Sequence, residues 1–139
     1  TKPLGGWSGT LNEAAKLLAS DRSSSDYFGV SVAASTNQVY VGAFYDDSPT
    51  GSGSSGSVYV FTRRVGGWSG TLTEAAKLLA SDADVQDNLG NAIAVSSETL
   101  VAGAFRDDSD RGSAYVFDTP ILVDGFESGD TSAWSSTVQ

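Results

Sequence analysis

The aspartates are the residues of this sequence whose type and spacing could form a chemical site. Aspartates stand side by side at Asp46-Asp47 and Asp107-Asp108, and Asp110 follows the second pair. Adjacent carboxylates repel each other unless a cation or several backbone donors lie close, and calcium takes about six to eight oxygen ligands. If a divalent cation binds, we therefore expect calcium at Asp107, Asp108 and Asp110, with a weaker counterpart at Asp46 and Asp47.

Turn formation is the alternative role for these aspartates. An aspartate at the end of a strand accepts hydrogen bonds from the backbone of its own turn. We assign Asp21 and Asp82 to this role because each follows an apolar stretch directly. For the two Asp-Asp pairs, turn formation and cation binding both stay open.

The residue types that most enzyme mechanisms use are missing. The chain has no cysteine, histidine or methionine, which excludes thiol nucleophiles, zinc sites built from Cys and His, and triads with an imidazole base. Glycoside hydrolysis needs two carboxylates that flank the scissile bond, and no such pair stands out among Glu13, Glu74, Glu98 and Glu127. We therefore expect a protein that is not an enzyme.

Charge and hydropathy narrow the range of partners. A net charge of -9 would repel a phosphate backbone, so we expect no nucleic acid partner. No apolar run approaches the ~20 residues of a membrane-spanning helix, so we expect no membrane span. An acidic composition that lacks cysteine and is rich in Gly, Ser and Asp favours a secreted, extracellular protein.

Internal repetition is the strongest signal in the sequence. The segment GGWSGTLNEAAKLLASD at 5–21 returns at 66–82 with one change, from Asn12 to Thr73. Self-similarity at a fixed offset indicates repeated structural units. The other matched segments are VYVGAFYDD (39–47) with LVAGAFRDD (100–108), and SVYVF (57–61) with SAYVF (113–117).

The repeats divide the chain into three parts. The copies are offset by 61 residues, and the offset falls to 56 after a Gly/Ser-rich insertion at 51–57 of the first copy. We therefore predict a first repeat at 1–64, a second repeat at 65–118 and a tail at 119–139.

Each repeat contains four short apolar stretches separated by turn residues, which indicates four strands. The first stretch, AAKLLAS, follows Thr10-x-x-Glu13, which has the form of a helix capping box. We favour a strand there because seven residues make a marginal isolated helix. The predicted strands are Ala15–Ser20, Val30–Ala34, Val39–Phe44 and Val58–Phe61, with counterparts 61 or 56 residues later.

This pattern predicts an all-β fold, with two four-stranded antiparallel repeats that are like propeller blades, followed by a C-terminal β tail. The order of the motifs also resembles the bacterial FG-GAP repeat family, which is related to the repeats of the integrin α-subunit propeller. Its name motif is carried by Phe28-Gly29 with Gly42-Ala43-Phe44, and again by Leu89-Gly90 with Gly103-Ala104-Phe105. Phe replaces the usual Pro in both copies, and Leu89 replaces Phe in the second.

The resemblance does not carry over a calcium site. In integrin-like members a calcium loop of the D-x-D-x-D-G type lies between the FG and GAP elements. Here that interval holds Ser-Thr-Asn-Gln at 35–38 and Ser-Ser-Glu-Thr at 96–99. These turns have too few carboxylates to surround a calcium ion.

The tryptophans of the repeated Gly-Gly-Trp motif have two explanations. Trp7 and Trp68 could stack on sugar rings, or they could fill the seam between neighbouring blades. We predict the seam for both, since the motif recurs at the same position of each repeat.

The tail differs from the repeats because it is rich in apolar residues without matching either of them. Its sequence could form a hairpin, and part of it, DGFESGDTSAW, resembles a segment near the C-termini of various secreted bacterial proteins. We predict that the tail docks on a sheet edge of a neighbouring subunit by strand addition. Docking on its own chain is the alternative. The assembly residues would be Ile121, Val123, Phe126 and Trp134.

The functional prediction rests on the number of repeats, which is too small for a closed propeller. Closed propellers typically have about four to eight blades, and this chain has two repeats. We predict an extracellular structural or adhesive protein that assembles with other copies of itself, as a ring or as a filament, with calcium as a stabilising ion if one binds. The alternatives are a propeller module that binds an extracellular protein or glycan, and a fragment of a longer propeller.

Overall fold

The computed structural model describes residues 4–47, 49 and 53–118. The all-β class is confirmed, and the main sheet of each repeat is antiparallel. The predicted tail lies outside the described residues. In chain order the elements are β1 (Ala15–Leu18), β2 (Ser31–Ala34), β3 (Gln38–Ala43), β4 (Ser57–Thr62), β5 (Gly70–Thr73), β6 (Ala76–Leu78), β7 (Leu89–Ser96), β8 (Thr99–Ala104), a single turn α1 (Asp107–Asp110) and β9 (Ser113–Asp118).

Two antiparallel sheets form the body of the protein. The first sheet has the order β2-β3-β4-β6, and the second has the order β7-β8-β9. A third, two-stranded sheet pairs β1 with β5 in parallel, with Lys16 opposite Thr71. The repeated sequence thus produces the same three-stranded meander twice, β2-β3-β4 and β7-β8-β9.

The predicted distribution of strands is corrected in one respect. The sequence predicts that each repeat forms its own four-stranded sheet. Instead β6, which lies in the AAKLLAS stretch of the second repeat, completes the first sheet by pairing with β4. The equivalent strand of the first repeat, β1, pairs with β5 instead. β6 pairs along the edge of β4 that would otherwise carry unpaired backbone groups, whereas β5, which precedes it in the chain, pairs with β1.

The stretch AAKLLAS forms a strand in both repeats, as predicted. Backbone pairing decides this against the helical preference of its sequence, because β1 and β6 each gain a neighbouring strand. A helix of seven residues would gain no such partner and would be marginal by itself.

Side-chain alternation buries both faces of the first sheet. One face packs on β1 and β5, and the other packs on the second sheet, so that successive sheets are stacked. The first interface is built from Ala19, Val41, Ala43, Tyr59, Phe61 and Leu72. The second is built from Tyr40, Val58, Val60, Ala80, Leu89, Leu100, Ala102 and Ala104.

The two tryptophans have different surroundings. Trp68 packs against the first of these interfaces, as the seam prediction requires. Trp7 is 68 % exposed, and the prediction is wrong for it within the described residues. The difference follows from the stacking, because no sheet precedes the first repeat in the described part of the chain.

Candidate functional site

A half-buried lysine at the start of the second repeat binds two carboxylates of the first. Lys77 on β6 lies 2.6 Å from Asp21 Oδ2 and 2.7 Å from Asp46 Oδ2. Its Nζ lies 5.0 Å from the centre of the Tyr59 ring, and the Tyr59 hydroxyl donates to Asp21 Oδ1 at 2.8 Å. Ser57 Oγ donates to Asp46 Oδ2. We call Asp21, Asp46, Ser57 and Tyr59 the first lysine site.

The ionisation of these groups reflects their contacts. Burial alone would lower the pKa of Lys77, but hydrogen bonds to Asp21 and Asp46 outweigh it, so that the pKa lies above its ordinary value of 10.5. Burial alone would raise the pKa of Asp21, but the hydrogen bonds from Lys77 and Tyr59 lower it below 3.8. Both groups are therefore held in their charged forms.

The same four side chains recur in the second repeat without a lysine. Asp82, Asp107, Ser113 and Tyr115 stand at the repeat offset from the first lysine site, and we call them the second lysine site. Tyr115 OH lies 2.8 Å from Asp82 Oδ1 and 3.0 Å from Asp107 Oδ2. Within the described residues no Lys or Arg forms an ion pair with either carboxylate.

The carboxylates of Asp82 and Asp107 both contact the Tyr115 hydroxyl and have no cationic partner among the described residues. A single phenolic proton cannot donate fully to both Asp82 and Asp107. A hydrogen bond from Ser113 keeps the pKa of Asp107 below its ordinary value. Burial, together with the charges of the neighbouring aspartates, raises the pKa of nearby Asp87. This part of the protein would therefore gain from an added positive charge.

The aspartates predicted to bind calcium serve other purposes in the first repeat. Asp46 is buried and holds Lys77, and Asp47 Oδ1 accepts a hydrogen bond from the Ser54 backbone N at 2.8 Å. Asp46 thus belongs to an ion pair and Asp47 to a turn. The weaker of the two predicted calcium positions already contains a cationic side chain.

The second predicted calcium position is the turn α1. Asp107 Oδ1 accepts from the Asp108 backbone N at 2.9 Å, and Asp110 Oδ1 accepts from Arg106 Nε at 3.0 Å. Asp108 has left-handed backbone angles (φ 52°, ψ 48°). In the described part of the chain no three acidic side chains converge as metal ligands, and calcium here stays a prediction.

The carboxylates of Asp21 and Asp82 have partners outside their own turns, which are Lys77 and Tyr59 for Asp21 and Tyr115 for Asp82. The structure shows the turn role for Asp26 and its counterpart Asp87. Asp26 Oδ2 accepts from the Ser23 backbone N at 2.6 Å, and Asp87 Oδ2 accepts from the Asp84 backbone N at 2.6 Å.

The lysine belongs to a longer segment that connects the two repeats. Residues 70–82, which we call the connecting segment, place β5 beside β1 and β6 beside β4. Between the two strands, Glu74 accepts hydrogen bonds from Ser20, including one from the backbone N at 2.9 Å. Leu72 is buried in the core at 4 % exposure. The connecting segment therefore holds the first repeat at two strands and at the first lysine site.

An almost identical segment precedes β2 in the first repeat. Residues 9–21, which we call the N-terminal copy, differ from the connecting segment only at Asn12. Leu11, the counterpart of Leu72, is 52 % exposed, and Lys16 is exposed where Lys77 is half-buried. Leu11 and Lys16 thus lack the contacts that Leu72 and Lys77 make in the connecting segment.

The last strands of the two meanders, β4 and β9, also differ in exposure. β4 reads SVYVF and β9 reads SAYVF across matched positions. Val60 is 6 % exposed in β4, whereas its counterpart Val116 is 65 % exposed in β9. The cause is that β4 has β6 at its edge and the second sheet on its face, while β9 has β8 as its single strand neighbour in the described residues.

A family model for the FG-GAP repeat matches residues 11–61 and again residues 72–117, which together are more than half of the chain. The chain belongs to the FG-GAP repeat family. A comparison with curated protein sequences finds no match. FG-GAP repeats are β-propeller blades, and the family is generally a binding or structural module rather than an enzyme.

The two glycines of the FG-GAP motif meet between neighbouring sheets. A Cβ at Gly42, in the GAP element of the first repeat, would collide with the backbone of Gly90, in the FG element of the second. Gly90 also has φ +88°, which disfavours other residues. Around Gly103 and Gly29, the outward-facing counterparts, a Cβ has room. The FG-GAP glycines therefore allow close approach of one repeat to the next.

Sequence reasoning missed the lysines, the tyrosines and the connecting role of the first strand. A signal for them existed, because Lys16/Lys77 recur at the offset of 61 residues that the aspartates have, and Tyr59/Tyr115 and Ser57/Ser113 recur at the later offset of 56. The predicted assembly residues of the tail lie outside the described residues. In the part of the chain that the structure describes, no helix is long and apolar enough to cross a membrane.

The pKa shifts predict how the first lysine site responds to pH. The lowered pKa of Asp21 means that its contribution to stability is complete above pH 3.8 and is lost as pH falls through the folded-state pKa. The raised pKa of Lys77 means that its contribution is complete below pH 10.5 and is lost as pH rises through the folded-state pKa. The difference in free energy of unfolding between wild type and Lys77→Met should therefore be constant between these values and shrink outside them, as measured by urea titrations at several pH values. A difference that does not vary with pH would contradict the role of the charges.

Proposed function

We propose that this FG-GAP chain is an extracellular structural or adhesive protein that assembles with other copies of itself. The observation that supports this most is the contrast between Val60, at 6 % exposure, and Val116, at 65 %. The second repeat covers one face of the first sheet and pairs with its edge strand β4. The second sheet has no such cover in the described residues, so its apolar face is open. Exposed apolar faces of this kind mark association surfaces.

The two outer surfaces correspond in part to the two halves of the interface inside the chain. The second sheet presents the type of face that Tyr40 and Val58 form in the first. The first repeat presents β2, the counterpart of the strand β7 that contacts the first sheet, with Val32 exposed. Contact between such different surfaces is head-to-tail, and it gives a ring if the rotation closes and a filament if it does not.

Composition and family support the extracellular and non-enzymatic parts of the proposal. The chain has no cysteine and a net charge of -9, and FG-GAP repeats are typical of extracellular proteins. Binding to further blades is the activity that the open surfaces favour.

Gly103→Ala should separate assembly from folding. Gly103 has room for a Cβ, with Ala92 O as the one neighbour at 3.8 Å, so the isolated chain should tolerate alanine. In an assembly the same Cβ would meet an incoming backbone, as it would at Gly42. We expect wild type to sediment as large particles and Gly103→Ala to sediment as a small discrete species with the same circular dichroism spectrum.

The matched control is Gly53→Ala. Gly53 also has room for a Cβ, with Asp47 Oδ1 at 3.8 Å, but its carbonyl oxygen accepts a hydrogen bond from the Gln86 backbone N within the chain. Gly53→Ala should therefore assemble like wild type. A wild-type chain that stays monomeric in sedimentation and in electron micrographs at high concentration would refute self-assembly.

A second candidate function is a module that binds an extracellular protein or glycan. The observation that favours it is a group of three aromatic rings, Tyr27, Phe44 and Tyr45, with ring centres 4.4 to 5.4 Å apart. Tyr27 is 56 % exposed and Tyr45 is 38 % exposed. A binding module would be a small discrete species in solution, so the same sedimentation experiment distinguishes the two candidates.

A further inference from the structure

We infer that the N-terminal copy (9–21) of one chain binds a second copy of the chain at β6 and β9, with Lys16 in the second lysine site, between Asp82, Asp107 and Tyr115. This inference rests on the proposed self-assembly and names the segment and the side chain that would carry it. The same kind of docking occurs inside the chain, where the connecting segment pairs β6 with β4 and places Lys77 in the first lysine site.

The N-terminal copy, which is the donor segment of this proposal, has the side chains that the connecting segment uses to hold a repeat, but several of them have no such partner in the described residues. Its counterpart uses β5, Glu74, β6 and Lys77 to hold the first repeat. In the N-terminal copy Leu11, Glu13 and Lys16 are exposed. Lys16 forms no ion pair in the described residues. β1 also has β5 as its one strand neighbour there, so one of its two edges is open.

The acceptor surface has the matching set of open groups. β9 lacks the strand that β6 supplies to β4, and β6 has β4 as its single strand neighbour in the described residues. Ser81 and Asp82 correspond to Ser20 and Asp21, which hold Glu74 and Lys77 in the first repeat. The incoming strand would run antiparallel to β9, as β6 runs to β4.

Electrostatics favour a lysine at this position. In the first lysine site one ammonium group lies between two carboxylates and over a tyrosine ring. In the second site Asp82 and Asp107 share one tyrosine hydroxyl, and Asp107 is 5 % exposed. An ammonium group there would form charge-assisted hydrogen bonds with both carboxylates and offset their repulsion.

Backbone packing gives independent support to this docking. The Gly90 backbone fits against Gly42 because neither residue has a side chain. The corresponding outer residues are Gly29 and Gly103, and a Cβ at Gly29 meets nothing within 4 Å. Lys16 and Gly29 lie on the same repeat, so both would reach the acceptor surface of one neighbour in the arrangement that the chain already uses internally.

A second copy suits the acceptor better than the tail of the same chain does. The tail at 119–139 contains no Lys or Arg, and the chain has three lysines, Lys2, Lys16 and Lys77. Lys77 is already bound between Asp21 and Asp46, and Lys16 lies within the repeated motif AAKLLASD. The tail could supply strand pairing at β9, but it could not supply the positive charge.

The test uses a fluorescent peptide with the sequence GTLNEAAKLLASD, which is the N-terminal copy itself. It is titrated into the full chain carrying Lys16→Met. This variant has an impaired N-terminal copy, while its β6, its β9 and its second lysine site are intact. We expect saturable binding, and we expect a peptide with Met at the lysine position to bind about 30-fold more weakly or worse, the effect of removing one partner from a buried charge pair. Asp82→Asn in the chain should weaken the lysine peptide similarly, whereas Asp84→Asn, the matched control on the neighbouring turn, should not.

The outcomes separate the inference from the proposed function. Equal binding of the lysine and methionine peptides, or no binding by a wild-type chain that does assemble, would overturn the inference and leave self-assembly standing. Binding of the peptide to a chain that never assembles would uphold the acceptor and overturn self-assembly. If the peptide binds only after residues 119–139 are deleted, the tail occupies β9 and the inference is wrong.

Discussion

Gly42→Ala should destabilise the protein by about 3 kcal/mol, near the upper end of the range for overpacked cores. The added Cβ would collide with Gly90 O and with Ser31 Oγ, and Ser31 Oγ is itself hydrogen-bonded to Gly90 O at 2.6 Å. The Gly90 carbonyl cannot rotate away, because its residue is also packed against Ser57 O. The two sheets must therefore separate locally, and the loss should appear as a lower midpoint in urea or thermal unfolding.

Gly103→Ala is the control for this prediction, since it makes the same change at the equivalent position of the second repeat. No sheet lies against Gly103 in the described residues, and its nearest neighbour would be Ala92 O at 3.8 Å. We expect a change within about 0.5 kcal/mol in a dilute monomeric sample, which is usual for surface positions. Equal losses for the two variants would mean that strand propensity, and not contact between the sheets, determines the effect.

Lys77→Met should cost about 2–4 kcal/mol, between the values for exposed and fully buried ion pairs. Methionine keeps much of the length of the lysine stem but leaves Asp46, at 4 % exposure, without its cation. Asp21 loses the same partner. The free energy of unfolding from urea titration at neutral pH measures the loss. Neutralising the orphaned charge should recover part of it, so Asp46→Asn should be less harmful combined with Lys77→Met than alone.

Lys16→Met is the matched control, because Lys16 has the same place in the repeated motif but is exposed. Its effect on the stability of the dilute chain should be close to zero. A loss at Lys16 as large as the loss at Lys77 would show that the lysine matters for the strand itself and not for the site between Asp21 and Asp46.

The positions of most strands could be predicted from the sequence. The stretches around Val39–Phe44 and Val58–Phe61 alternate β-branched, aromatic and small residues between turn residues, and β3 and β4 follow them closely. Short-range pattern is sufficient here because each of these strands pairs with its neighbour along the chain. The meander of each repeat is therefore a local consequence of the sequence.

The partners of β1 and β6 could not be predicted in the same way. Their sequences are identical over AKL, yet one pairs in parallel with β5 and the other antiparallel with β4. What differs is the strand that lies beside each of them, which is a property of the whole arrangement. The candidate site follows the same rule: Asp21, Asp46 and Tyr59 are far apart in the sequence, and Lys77 brings them together from the next repeat.

The charge pattern behind the calcium prediction has a second explanation in the fold. The pairs Asp46-Asp47 and Asp107-Asp108 recur because one member of each contributes to a lysine site. Repulsion between neighbouring carboxylates correctly indicated a need for positive charge. In the first repeat a lysine from another strand meets that need.

The pairing of β6 with β4 places the boundary of the sequence repeat inside a sheet. A polypeptide cut at residue 64 would lose β6, and with it Lys77 and the strand that covers β4. The stability of each repeat thus includes a large term from its successor, as in nearest-neighbour descriptions of repeat proteins. Local fraying that begins in the second repeat would spread into the first by removing an edge strand, so neighbouring repeats should unfold in one cooperative transition.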